Sequence, residues 1–187
     1  MVKDHDSVDV KVALAFPDVY EVAMSHLGLK IIYSVLNARD DTLAERVYAP
    51  WVDMEALMRE KHIPLYTLES KCPVKDFDVL GFTMPFEMCY TNILNMLDLS
   101  GIPLLARDRS DEDPIIVSGG PCVYNAEPVA DFFDVFFIGE SEEAIGEMAD
   151  IVKAWKKEGK PGGRKEIIRR MASIRGCYAP SLYKVSY

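Results

Sequence analysis

Apolar residues in this chain gather in short unbroken runs separated by stretches of helical period. Val10 to Phe16 is the first run, stopped by Pro17; Ala44 to Tyr48 and Phe77 to Thr83 are the second and third. Ile115 to Ser118 and Phe133 to Ile138 are the fourth and fifth. Unbroken apolar runs suit strands covered on both faces, as in a parallel sheet, whereas half-exposed strands alternate. After the first run, Met24, Leu27, Gly28, Ile31, Val35 and Leu36 fall near one helical face. That helix has two candidate starts: Asp18 with Glu21 makes a capping box, and Ser25 is an equally good N-cap. If Ser25 is the cap, residues 17 to 24 form a loop over the carboxyl edge of the sheet.

Further helices are predicted at Trp51 to Lys61, with Asp53 near its start, and at Glu87 to Leu99, with Gly101 at its C-cap. Leu65 to Leu68 adds a short extended piece. Ser141 to Glu158 has the clearest apolar stripe: Ala144, Ile145, Met148, Ile151, Val152 and Trp155. Glu142 and Glu143 in its first turn and Lys156 and Lys157 in its last complement the helix dipole. Strand and helix thus alternate through five units. The pattern predicts an α/β fold, a doubly wound, mainly parallel five-stranded sheet with helices on both faces, a three-layer sandwich. The domain is expected to span residues 1–159. Lys160-Pro161-Gly162-Gly163 reads as a linker, Arg164 to Ala172 as a short basic helix, and Tyr183 to Tyr187 alternates like a strand needing a partner. Residues 160–187 are therefore expected to be a linker and the start of a connection to a further domain.

Composition narrows the partners. A net charge of -9 argues against nucleic acid, whose phosphates need clustered Lys and Arg. No apolar run approaches a membrane span, and the polar start Met1-Val2-Lys3-Asp4-His5-Asp6 has no signal-peptide core. Cys72, Cys89, Cys122 and Cys177 show no CxxC spacing, so reduced thiols in a cytoplasmic protein are expected, with no metal site. No nucleophile–base arrangement is legible, so no catalytic residue is assigned.

Candidate chemistry sits where strands end. Ile115 to Ser118 runs into Gly119-Gly120-Pro121, and the fifth run into Gly139-Glu140-Ser141-Glu142-Glu143. Glycines there let backbone approach a ligand in the crevice where open α/β sheets bind cofactors, or simply form tight turns. Thr83 offers a hydroxyl at the end of the third strand, to a ligand or to the next turn. Phe86, with Met84 and Met88, would make an apolar wall suited to a flat macrocycle, or serve as core. Asp18 and Tyr20 lie in the first connection, where Asp18 suits a cap better than a ligand contact. Asn125 and Glu127 suit capping roles, with the crevice as the alternative. Glu140 closes the crevice or stabilises its helix.

The combination of Gly119-Gly120-Pro121, Glu127-Pro128 and Asp134 through Gly139-Glu140-Ser141-Glu142-Glu143 resembles the cobalamin-binding domain ahead of the catalytic barrel in many radical SAM proteins. The stretches Phe16 to Gly28, Ala44 to Trp51 and Asp76 to Phe82 resemble one uncharacterised subgroup of that class. The resemblance spans roughly residues 10–187 and supports the flavodoxin-like strand order 2-1-3-4-5. It implies a cofactor- or substrate-positioning domain whose partner is its own C-terminal radical SAM barrel, with cobalamin as the small-molecule cofactor. The 4Fe-4S cluster and S-adenosylmethionine would belong to that downstream barrel, because the CxxxCxxC cluster motif is absent here. Cobalamin domains with a protein histidine on cobalt carry Asp-x-His-x-x-Gly after the first strand; here Asp18 and Ser25-His26-Leu27-Gly28 have the wrong spacing. Binding without histidine ligation follows, the alternative being a degenerate Rossmann-like domain for substrate docking or assembly. A flavin site ranks third, since the fold class is shared but no phosphate-cradling first loop is present.

Overall fold

The computed structural model describes residues 3–184. Parallel strands β1 (Val10–Phe16), β2 (Thr42–Tyr48), β3 (Val79–Thr83), β4 (Ile115–Gly119) and β5 (Val135–Phe137) alternate with helices α1 (Tyr20–Ala23), α2 (Leu27–Asn37), α3 (Val52–Lys61), α4 (Tyr90–Leu99) and α5 (Ala144–Lys157). The strand order is β2-β1-β3-β4-β5-β6, the flavodoxin-like order with one strand added. The sheet is therefore six-stranded rather than five-stranded. The addition is β6 (Cys177–Tyr178), which runs antiparallel to β5, pairing Phe136 with Tyr178.

Each face of the sheet has its own core, because alternate side chains of a strand point to opposite faces. Val10, Val12, Leu14 and Phe16 of β1 pack with buried residues of α2 and α5, among them Leu36 and Met148. Ala13 and Ala15 face the opposite way, toward Met58 of α3 and Ile93, Met96 and Leu97 of α4. The predicted stripe of α5 is buried almost throughout, from Ala144 to Trp155, with Ile151 only partly covered.

Residues 160–184 pack on this body instead of linking away from it. Helix α6 (Gly163–Met171) inserts Ile167 and Met171, both fully buried, into the α2–α5 core. Side chains of this kind stabilise by roughly 1.5–3 kcal/mol each when fully buried. The basic character of α6 hid this, since its apolar positions are spaced for one face only. Tyr183 and Lys184 follow a 3-10 turn, Pro180–Leu182; the rest of the predicted terminal strand, 185–187, lies outside the described residues.

Helix starts also differ in detail. One-turn α1 has no side-chain cap, and Asp18 instead accepts the N–H of its neighbour Val19 at 2.8 Å. Ser25 does not cap α2; its hydroxyl donates to Val22 O at 3.4 Å, and His26 is the N-cap. The helix predicted from Glu87 begins with a 3-10 turn, Glu87–Cys89, before α4. Leu65–Leu68 is not a strand; it contributes one isolated bridge, Tyr66 to Pro73. Among the described residues no helix is long and apolar enough to cross a membrane.

Candidate functional site

Parallel strands that share a direction end at one edge, and the reversal of strand order beside β1 leaves a gap between the connections that leave it. A crevice of about 280 Å³ opens there, on the α2–α5 side of the sheet. Its floor comes from the ends of β1, β3, β4 and β5: Leu14, Gly81, Val117 and Phe137. Leu29 and Ile32 of α2 and Ile145 of α5 make apolar side walls.

Thr83, Gly119, Gly120, Pro121, Gly139 and Glu140 all line this crevice. Thr83 and Gly119 are register partners at the ends of β3 and β4. The three glycines do different jobs. Gly120 has φ +108°, and a Cβ there would sit 2.9 Å from Met84 O. Its neighbours bond to the same residue: Met84 N donates to Gly119 O at 2.8 Å and Cys122 N to Met84 O at 3.2 Å. Gly120 is thus required by the seam between the β3 and β4 connections. Gly119 would point a Cβ to within 3.6 Å of Ser141 Oγ, across the crevice mouth, without unusual backbone. Gly139 has φ +109° and open space about it.

The remaining sequence candidates lie elsewhere. Tyr20 lines a separate groove of about 190 Å³ with Met54 and Tyr66, and its ring stands edge-on to Tyr48 at 5.4 Å. Asp18 makes the local bond already described. Phe86 is exposed, Met88 is 86% exposed and Met84 is fully buried, so these three make no common wall. Asn125 is exposed at the end of a 3-10 turn. Glu127 caps no helix; it accepts the Tyr178 hydroxyl and ties the β4–β5 connection to β6. That bond is the main reason the Tyr178 phenol is pushed up to about 12.

His26 is a crevice residue that the sequence reading set aside on spacing. It lines the crevice, packs its ring 4.9 Å from Phe16, and accepts the Leu29 N–H through Nδ1 at 3.1 Å. Gly28 makes room for the ring, since a Cβ there would lie 3.0 Å from His26 Cε1. Burial lowers the imidazole pKa, which favours the neutral form. A neutral ring whose Nδ1 accepts carries its proton on Nε2, so His26 offers the crevice a donor and no lone pair. The available signal was position: His26 opens the first long helix after β1, immediately above the sheet edge. Ser118 and Ser141 were also missed. Ser118 is buried, with its hydroxyl donating to Phe82 O at 3.0 Å.

The connections around this edge carry Asp18 and Glu21, Glu87, Glu127, and Glu140, Glu142 and Glu143, with no Lys or Arg between residues 17–26, 49–51, 84–89, 120–128 or 138–143. None of these seven acids has an ion pair among the described residues. At the opposite edge, Asp134 accepts from both Arg109, at 3.3 Å, and Arg164 while also accepting Ile116 N–H at 2.7 Å. Both guanidiniums spend their other donors on backbone carbonyls, including Phe132 O and Asp113 O. Burial pulls Arg109 down to about 10, leaving it charged at neutral pH. Asp134, part of the sequence motif, is therefore a structural clamp. Among the described residues no group of three or more His, Cys, Asp or Glu side chains is placed to hold a metal ion. Burial pushes the Cys177 thiol up to about 12, and Cys89 and Cys122 also rise through burial.

Comparison with known proteins places this geometry in a family. The chain is 28% identical over 133 residues to an uncharacterized protein of Methanocaldococcus jannaschii, a match covering 70% of this chain and 24% of that relative. The chain thus spans about a quarter of its relative's length. The family model described as "Radical SAM proteins, N-terminal" matches residues 28–180, which runs from α2 through α6 and β6 and leaves β1 and α1 outside the match. The chain belongs to the family of N-terminal domains of radical SAM proteins.

Proposed function

We propose that this domain holds a small-molecule group in the carboxyl-edge crevice and presents it to the radical SAM domain of the protein it belongs to. The observation that carries this reading is the crevice itself: an apolar slot at the strand-order reversal, floored by four strand ends and served by one ring N–H from His26. Open α/β sheets bind ligands at this place. The 4Fe-4S cluster and S-adenosylmethionine belong, on this reading, to the downstream domain.

Cobalamin is the cofactor that the sequence resemblance implies, and the residues fit part of it. At about 280 Å³ the slot lies at the small end of ligand pockets. It takes one ring system, such as the uncharged benzimidazole of the nucleotide arm, while a corrin macrocycle has to lie outside it. When bound, cobalamin supplies radical and group-transfer chemistry. Leu29 and Ile145 would hold the ring by apolar contact, and His26 Nε2–H would donate to it. Because the proton sits on Nε2, His26 binds without ligating cobalt.

Titration of residues 1–187 with hydroxocobalamin, followed by visible absorbance and calorimetry, tests this. We expect weak binding, on the order of micromolar or poorer, since an open site leaves ordering costs uncompensated. Gly119→Leu, which fills the mouth without straining the backbone, should remove it, whereas His26→Ala should weaken it by about two- to tenfold, the value of one neutral hydrogen bond. Loss of binding in His26→Ala with an altered cobalt spectrum would put the imidazole on the metal and overturn the ligation-free mode. No binding at millimolar cofactor would remove cobalamin.

A second reading, docking without a ligand, has its own observation. Leu27, Trp51, Met88 and Tyr124, on four different connections of this edge, are 69%, 64%, 86% and 74% exposed. Exposed apolar groups gathered on one side mark interaction surfaces. On that reading the edge meets the radical SAM domain directly, and Met88→Glu should separate the two domains in the full-length protein, read as independent tumbling by NMR relaxation.

A further inference from the structure

We infer that a groove at the amino edge of the sheet, separate from the crevice, binds a small organic anion: a phosphate or carboxylate carried on an apolar body. The groove lies beside β5, between the 3-10 turns Ala106–Asp108 and Glu127–Phe132 and the C-terminal segment made of α6 and the turn Pro180–Leu182. Its volume is about 760 Å³, against about 280 Å³ for the crevice, which suits a cofactor-sized molecule. Leu105, Ala106, Ile168 and Pro180 give it apolar walls.

The charge of this lining runs against that of the chain, which carries -9. Arg107, Arg109, Arg164 and Lys165 face Asp111, Asp131 and Asp134, four cations to three acids. Two of those acids are already engaged: Asp134 is shared by both buried guanidiniums, and Asp111 accepts the Arg164 backbone N–H at 2.6 Å. Arg109 and Arg164, with side chains 0% and 8% exposed, sit behind the wall and supply field instead of contact. Contact falls to the rim. Lys165 has no partner among the described residues, and Arg107, 78% exposed, has only Asp108 at 3.9 Å. The third acid, Asp131, is exposed and unpaired among the described residues, one carboxylate against two uncompensated cations. An anionic head at Arg107 and Lys165 answers that surplus, while an apolar body covers Leu105 and Ile168. Because the walls come from residues 105–134 and 162–181, such a ligand also ties α6 to the body of the domain.

Titration of the chain with 1-naphthyl phosphate, 1-naphthoate and 1-naphthol, followed by calorimetry and NMR amide shifts, tests this. The anions should bind about tenfold more tightly than the neutral alcohol, with shifts at the amides of Arg107, Asp131, Gly162 and Lys165. The variant R107Q/K165Q leaves the Asp134 clamp in place and should bring the three probes to within about twofold of one another. Asp131→Asn should act in the opposite sense, tightening both anions by about threefold. The stronger of the two anions assigns the head group, phosphate ester or carboxylate, and either order upholds the site. Naphthol binding as tightly as the anions, or an anion preference that survives R107Q/K165Q, would overturn it. So would shifts centred on Gly119 and Ser141 in the crevice, or no binding of any probe at millimolar concentration.

Discussion

The two edges of the sheet are built on opposite principles. At the amino edge an aspartate stands one or two residues before each parallel strand: Asp9, Asp41, Asp78, Asp113 and Asp134. Each is ion-paired. Asp9 meets Lys153 and Lys157, Asp41 meets Arg39 and Lys153, Asp78 meets Lys156, Asp113 meets Lys75, and Asp134 meets Arg109 and Arg164. Two of them also accept an N–H from the neighbouring strand: Asp78 from Lys11 at 2.8 Å, and Asp134 from Ile116 at 2.7 Å. They satisfy donors that the sheet ladder leaves over where strands begin. The carboxyl edge has seven acids, no bases on the same connections, several exposed apolar side chains and the crevice. Charge is neutralised where the fold is closed and left uncompensated where a ligand or partner can approach.

Substitutions sharpen that contrast, and the largest effect belongs to the clamp. Asp134→Ala leaves two buried guanidiniums without a carboxylate and Ile116 N–H without its acceptor. It should cost about 3–5 kcal/mol, as removal of one partner from a buried ion pair does, read as a shift of the urea midpoint. A loss below about 1 kcal/mol would mean that the backbone carbonyls around Arg109 and Arg164 carry the cluster alone.

Gly120→Ala comes next. Forcing a side chain to φ +108° against Met84 O should cost about 1–3 kcal/mol, whereas Gly119→Ala, with ordinary backbone and a 3.6 Å neighbour, should stay within about 0.5 kcal/mol. Thermal unfolding of the pair checks it; equal melting temperatures would refute the seam.

His26→Ala should cost about 1 kcal/mol through the lost cap of α2. The wild-type contribution is pH-dependent with a definite sign. The folded pKa lies below the unfolded value of about 6.5, so below that pH the unfolded chain takes up the proton first. Stability is therefore full above about 6.5 and falls as pH drops through the folded pKa, where protonation also displaces the Leu29 N–H. In the alanine variant this component of the stability–pH curve should vanish; its persistence would assign it to another group.

The smallest stability effect is expected at the carboxyl edge. E140Q/E142Q/E143Q should leave stability unchanged or raise it by a few tenths of a kcal/mol, because exposed like charges are relieved and no ion pair is broken. Destabilisation beyond about 1 kcal/mol would show that these acids stabilise the start of α5 more than they repel one another.

The sequence by itself determined the layer architecture, because unbroken apolar runs alternating with amphipathic stretches admit few chain paths, while the strand order also needed the family resemblance to choose among them. It also placed Gly119, Gly139 and Glu140 at the edge where the crevice opens, since residues that follow a parallel strand must lie there. Tertiary structure decided what adjacency in the chain cannot show. Gly120 is fixed by Met84, 36 residues away, and Asp134 by Arg109 and Arg164 on separate elements. Helix α6 reads as basic and detached until its buried face meets α5, and β6 is too short to register as a strand without β5 beside it. His26 entered the site through space, not spacing: a cap hydrogen bond three residues long sets its tautomer, and only the packing of α2 against β1 brings its ring to the crevice wall.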